Sequence, residues 1–322
     1  MRESKGRGYA AFAVVTGYTE SELVMNNRLG RSVSVCRNTL FAAMALTALL
    51  AALGASSAVA APKGEYAAFA ECPTSNPELS GCIASRVESG EIKIGNEAVP
   101  IKNTQILQGG FIENEETGAL TFVGAAGGNT FPPTPQVVPG GLLGTLCKAL
   151  PGFLSSLCNQ FFSKGLTEVK ATTELAAPAS SIGLNEVFLE IEQGTALSLP
   201  VKIKLENLFL GSKCYIGSNS NPITLDLTTG TTNPPKPNEP IKGKLGTISS
   251  RAEGGILVIS NNTLVDNSFA APGATGCGGI FSFLVDPILD SVLGIPAMAG
   301  HNTAIFNGTL EQTGAEQARA HE

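Results

Sequence analysis

The clearest signal in the chain is a two-residue alternation. In "LSLPVKIKLENL" (197–208), Val201, Ile203 and Leu205 alternate with Lys202, Lys204 and Glu206. A segment with one apolar and one charged face predicts a strand of an antiparallel sheet, buried on one side and wet on the other. "NEVFLEIEQG" (185–194) carries the same rhythm, setting Val187, Leu189 and Ile191 against Glu190 and Glu192. Further strands are predicted at "EIKIG", "EAVPIKNTQILQGGF", "ALTFVG", "LTEVKATTEL", "PITLDLTTG", "GILVIS" and "HNTAIFNGTLEQ". Asn, Gly and Glu clusters separate the early ones, as turns do. About ten short strands with few helices predict a mainly β fold, an antiparallel β-sandwich or barrel.

Two segments switch to helical spacing. Leu142, Leu143, Leu146 and Leu150 recur at that spacing, and beyond Pro151-Gly152 so do Phe153, Leu154, Leu157, Phe161 and Phe162. This predicts a helical hairpin over 142–162. "GIFSFLVDPILDSVLGIP" predicts a second helix over 279–294, kinked at Pro287 and stopped by Gly294. Both are apolar enough to need cover, either as caps over the sheets or as a lid facing lipid or a partner. Residues 127–141, "GGNTFPPTPQVVPGG", are too rich in Pro and Gly for regular structure and read as a loop or linker. The Pro-rich stretch 232–240 reads as a stiff surface loop. These limits divide the chain into an N-terminal β segment (61–126), the loop, the hairpin, a main β region (163–315) and a disordered tail (316–322). The N-terminal segment is expected to open on a short strand before a loop between Cys72 and Cys82.

The first 60 residues stand apart. Arg28, Arg31 and Arg37 precede the uncharged apolar run 40–53, and Ala58-Val59-Ala60 follows it. A basic head, an apolar middle and a small-x-small exit describe a signal peptide cut after Ala60. The run is shorter than the roughly 20 residues a membrane span needs, so no span is expected after cleavage. Met25 offers an alternative translation start, which would leave residues 1–24 untranslated. The expected compartment is outside the cell.

Charge narrows the partners. Residues 61–322 hold 15 basic and 24 acidic side chains, a balance of −9. Nucleic acid and anionic membrane surfaces call for basic patches, so neither is an expected partner. There is no Trp, and Tyr66 and Tyr215 are the only tyrosines past residue 60, so aromatic stacking platforms are scarce.

Six cysteines follow the apolar run: Cys72, Cys82, Cys147, Cys158, Cys214 and Cys277. An even number in an exported chain points to three disulfides. The pairing expected is Cys72–Cys82, Cys147–Cys158 and Cys214–Cys277, one of 15 that six cysteines allow. Zinc would want close C-x2-C pairs or histidines, and redox chemistry a C-x-x-C; the chain has neither spacing.

Chemistry is harder to find. No H-E-x-x-H, G-x-S-x-G, Walker loop or acidic calcium loop occurs. "GATGCGG" (273–279) misses dinucleotide-binding spacing and reads as a disulfide-bearing turn. His301 is the one imidazole in the predicted fold, and a hydrolase would have to use it as its base. No nucleophile is marked beside it. Glu190/Glu192 and Asp286/Asp290 could each share a face, yet an exposed pair of charges is usually just a solvated surface. No catalytic residue, cofactor or metal ligand is therefore assigned.

Over "VKIKLENLFLGSKCYIGSNSNPITLDLTTG" (201–230) and around "AAPGATGCGG" the chain resembles uncharacterised exported proteins of high-GC Gram-positive (actinobacterial) bacteria. That resemblance implies origin and compartment, and no activity or site residue. The expectation is a secreted, disulfide-stabilised, non-catalytic structural or interaction protein of the cell surface or exterior. The alternatives are a binding module for an apolar ligand, lipid or cell-envelope component, and a hydrolase using His301.

Overall fold

The strand Thr303–Gly314 (β14) is the axis of the larger of two sheets in the computed structural model, which describes residues 60–139, 152, 155–156 and 168–322. The predicted signal segment up to Val59, and nearly all of the predicted hairpin including its Cys147–Cys158 bond, lie outside the described residues. On one side β14 pairs with β1 (Gly81–Ile94), and β1 pairs with β3 (Gln105–Glu113), then β4 (Leu120–Gly124). On its other side lie β12 (Ile256–Asp266) and β11 (Thr247–Arg251). The short β2 (Glu97–Pro100) folds back on the end of β1. Every pairing is antiparallel.

The second sheet is built on β8 (Leu197–Glu206), the segment with the clearest alternation. Buried and half-buried positions alternate along all of it, with Val201, Ile203 and Leu205 inward. Around β8 stand β6 (Lys170–Leu175), β5 (Gln136–Val137), β7 (Gly183–Leu184), β9 (Tyr215–Ile216), β10 (Ile223–Leu227) and β13 (Ala274–Thr275). One apolar core joins the sheets, with Ile83, Leu107, Phe111 and Phe122 from the first and Leu199, Val201, Ile203 and Leu225 from the second. The fold is thus a mainly antiparallel β-sandwich. The two sheets meet at one corner, where Thr228 and Val265 exchange both backbone hydrogen bonds.

The chain does not respect the division into an N-terminal and a main β region. β1, from the first, pairs directly with β14, from the last, and β3 follows next to β1, so the described residues from 60 onward form one unit. Long-range pairing of this kind leaves no local trace in composition.

Two bulges give the larger sheet its shape. Going from Val87 to Ser89, β1 carries one residue more than β14 opposite it, and β12 does the same between Ile259 and Asn262. The first lies opposite Gly308 and Asn307 and the second opposite Leu310 to Gly308, so the two share Gly308. An extra residue reverses which side chains face inward. Ile83 and Ile92 thereby reach the same core although their numbers differ in parity, and so do Ile259 and Leu264.

The outer face of this sheet is also covered. Cys82, Ala84, Ile256 and Val258 pack against Tyr66, Phe69, Leu79, Ala315 and Ala318 in a second core. Here the expectations change in two places. Residues 64–69 form a 3-10 turn rather than a strand, pinned by Cys72–Cys82. The expected disordered tail instead carries the helix α3 (Ala315–Ala320), because Ala318 is fully buried and Arg319 donates to the carbonyls of Thr74 (2.8 Å) and Asn76 (2.6 Å).

Two further expectations are corrected. Residues 185–194 are not a strand: Glu186–Glu190 is a short helix, α1, whose first turn is capped by Asn185 accepting from the Phe188 N–H at 2.9 Å. Only Leu189 is buried there, while Val187 and Ile191 are exposed. The capping asparagine outweighs the period-two pattern. In the proline-rich stretch after residue 127, Gln136 and Val137 do form a ladder with β6.

The helix predicted over 279–294 is α2 (Ser282–Leu293), containing Pro287 and ending at Gly294 in the left-handed region. Leu289 and Leu293 are buried against the core, as a cap requires. Its opposite end, with Ile280, Phe281, Phe283 and Leu284, is exposed.

Candidate functional site

β1, after its bulge, turns Ile92 and Ile94 inward, and the β1–β2 hairpin adds Val99 and Glu97 above them. Across from these stand Ala171 and Thr173 of β6, Ile203 and Leu205 of β8, and Ile216 of β9. Leu293, at the end of α2, closes one side. Between them lies a narrow pocket of about 40 Å³, open to the surface at the hairpin. That is room for about three water-sized groups. Its walls are overwhelmingly aliphatic, the usual character of a small-molecule site with a few placed polar groups.

Those polar groups are distinctive. Gln136 is fully engaged: its Oε1 accepts from the backbone N–H groups of Lys102 (2.8 Å) and Asn103 (2.9 Å), and its Nε2 donates to the Asn103 carbonyl (2.6 Å). Gln105 and Thr173 are not. They are 3% and 6% exposed, both line the pocket, and neither side chain has a hydrogen-bond partner among the described residues. Neither is among the sealed side-chain atoms left without a hydrogen bond in the described residues, which are Asn267 Oδ1 and Glu311 Oε2, so the amide of Gln105 and the hydroxyl of Thr173 keep open surface that a group entering the pocket can meet. Glu97 stands half-exposed at the hairpin, and burial alone pushes its carboxyl above the ordinary glutamate value.

Sequence reading singled out none of these four. The available signal was register. Gln105 shares its inward face with Leu107 and Phe111, and Thr173 shares its face with Ala171. A polar residue at a core position is the exception to binary patterning that marks a functional place. Seeing it required knowing which strand face was inward.

The residues that were singled out fall elsewhere. Cys72–Cys82 and Cys214–Cys277 are formed and all four cysteines are buried. His301 is exposed, in the turn before β14, and its imidazole has no hydrogen-bond partner among the described residues. Glu190 and Glu192 do not share a strand face: Glu190 is the last residue of α1, and Glu192 accepts from the Leu245 N–H and pairs with Lys242. Asp286 and Asp290 do share a face of α2, but it is not merely solvated. Asp286 accepts from the N–H groups of Gly276 (3.1 Å) and Cys277 (2.8 Å), and Asp290 from that of Ala274 (2.7 Å). The two carboxylates anchor the glycine-rich turn that carries Cys277, as the sequence expected of a disulfide-bearing turn.

Among the described residues no group of His, Cys, Asp and Glu could hold a metal ion, and no helix is long and apolar enough to cross a membrane. Set against protein-family models, curated proteins and solved structures, the chain matches none. The pocket must therefore be read from its own geometry.

Proposed function

We propose that this is an exported, non-catalytic binding protein whose β-sandwich takes one end of a small, largely aliphatic ligand between its sheets. The observation that carries the reading is the aliphatic pocket, because it is lined by two buried polar side chains that the fold itself leaves unpaired. Two buried disulfides in a β-rich fold are consistent with an extracellular protein. The signal-like residues 28–60 and the resemblance to exported actinobacterial proteins support the same compartment. The isolated, exposed His301 favours binding over hydrolysis, since a general base needs an orienting partner and a nucleophile in reach.

Five isoleucines line the pocket, Ile92, Ile94, Ile101, Ile203 and Ile216, and they make the test direct. With their methyl groups isotopically labelled, titration with small aliphatic probes should give saturable shifts confined to these five. Replacing Ala171 by Leu, which fills the pocket from β6, should abolish the shifts. Saturation by no probe, or equal shifts at isoleucines elsewhere, overturns the reading. Export is tested separately: N-terminal sequencing of protein from the medium should begin at or near Ala61.

A further inference from the structure

The unpaired groups say what kind of ligand fits. A primary amide and a hydroxyl can each donate and accept. Both are nearly fully buried, while Glu97, the only ionisable side chain lining the pocket among the described residues, stands half-exposed at the hairpin. An ion carried down to Gln105 and Thr173 would lose its water and meet no opposite charge, which is far more costly than burying a neutral group. A carboxylate would in addition approach past Glu97. A pure hydrocarbon would leave both groups as unpaired as before.

We infer that the ligand is a compact neutral amphiphile, a short or branched aliphatic body carrying one hydroxyl, carbonyl or primary amide that hydrogen-bonds Gln105 and Thr173. This rests on the pocket being a ligand site. Its size agrees: about 40 Å³ admits a polar head with a few carbons, and the rest of the ligand must lie in the mouth between Val99 and Glu97. Gln136, in the same wall, serves the fold instead, because both ends of its amide are occupied by the 102–103 backbone.

The test uses matched five-carbon probes: 3-methylbutan-1-ol, 3-methylbutanamide, 3-methylbutanoate, 3-methylbutylammonium and 2-methylbutane. Affinities are read from the isoleucine methyl shifts of the intact, disulfide-bonded protein. The alcohol and amide should bind at least tenfold more tightly than the two ions and the hydrocarbon. In a variant with Gln105→Leu and Thr173→Val, near-isosteric changes that remove the polar atoms, that advantage should vanish while 2-methylbutane binds as well or better. An ion binding as tightly as the alcohol, or a polar preference that survives the double substitution, overturns the ligand class but leaves the pocket standing. Binding of no probe overturns the pocket as well. Gln136→Leu is the contrasting variant: it should lower the melting temperature, as loss of a buried structural amide does.

Discussion

Gly308 faces the carbonyl of Arg86 so closely that a Cβ on it would sit 1.8 Å from that oxygen. The contact lies where β1 and β12 both bulge against β14, so three backbones converge on a residue without a side chain. Replacing Gly308 by Ala should cost at least about 3 kcal/mol, since backbone must move on a strand paired on both sides. Gly314→Ala, with nothing within 4 Å, should change stability by less than about 0.5 kcal/mol. Chemical denaturation of the two variants checks the contrast.

The bulge also decides what the pocket sees. Deleting Glu88, the extra residue of β1, would restore two-residue parity and turn Ile92 and Ile94 away from the core, because a one-residue slip exchanges the faces of a strand. The deletion should either prevent folding or abolish probe shifts at Ile203 and Ile216 across the pocket. A folded deletion variant with an unchanged pocket would contradict the assignment.

The long disulfide should matter more than its position on a loop suggests. Cys214–Cys277 joins residues 63 apart and ties the loop after β8 to the turn before α2. Replacing both cysteines by Ser should lower stability by about 2–4 kcal/mol, chiefly by freeing the unfolded chain. Asp286→Ala should cost a further, smaller amount, about 1–2 kcal/mol, through the two N–H groups it leaves unpaired at Gly276 and Cys277. Melting curves of the variants, alone and combined, measure both.

Binding should depend on pH through Glu97. Burial raises its folded value above the ordinary 4.5, so the folded state holds this proton more tightly than the unfolded chain does. The sign follows: its contribution to stability is fully present below 4.5 and is lost as pH rises through the raised value. A neutral ligand in the mouth buries the carboxyl further, so affinity for 3-methylbutan-1-ol should rise as pH falls through that window. Glu97→Gln should flatten the dependence. An unchanged slope in the variant would place the titration on another group.

Much of the fold was legible because half-buried strands write their two faces into the chain. β8, β10 and the inward residues of β14 could be read as alternation, and α2 could be read as helical spacing closed by Gly294. β1 could be read only at its end. Its opening residues, Gly81–Ala84, are buried on both faces, so no polar face marks them as a strand. α1 was misread because five residues are too few to separate period two from period 3.6, and Asn185 decided between them.

By itself, then, the sequence determined the class of structure: strand-forming alternation, turn residues between, and an even set of cysteines. Each of these depends on neighbours within a few positions, or on composition alone. The tertiary structure alone decided the order of the strands, the matched bulges across β14, and the meeting of Gln105 with Thr173 in one pocket. These depend on which distant backbones share hydrogen bonds, and a chain position carries no record of its partner across a sheet. The candidate site belongs wholly to that second kind: its residues come from seven strands and a helix end, and only the packing of one sheet on the other makes them a pocket.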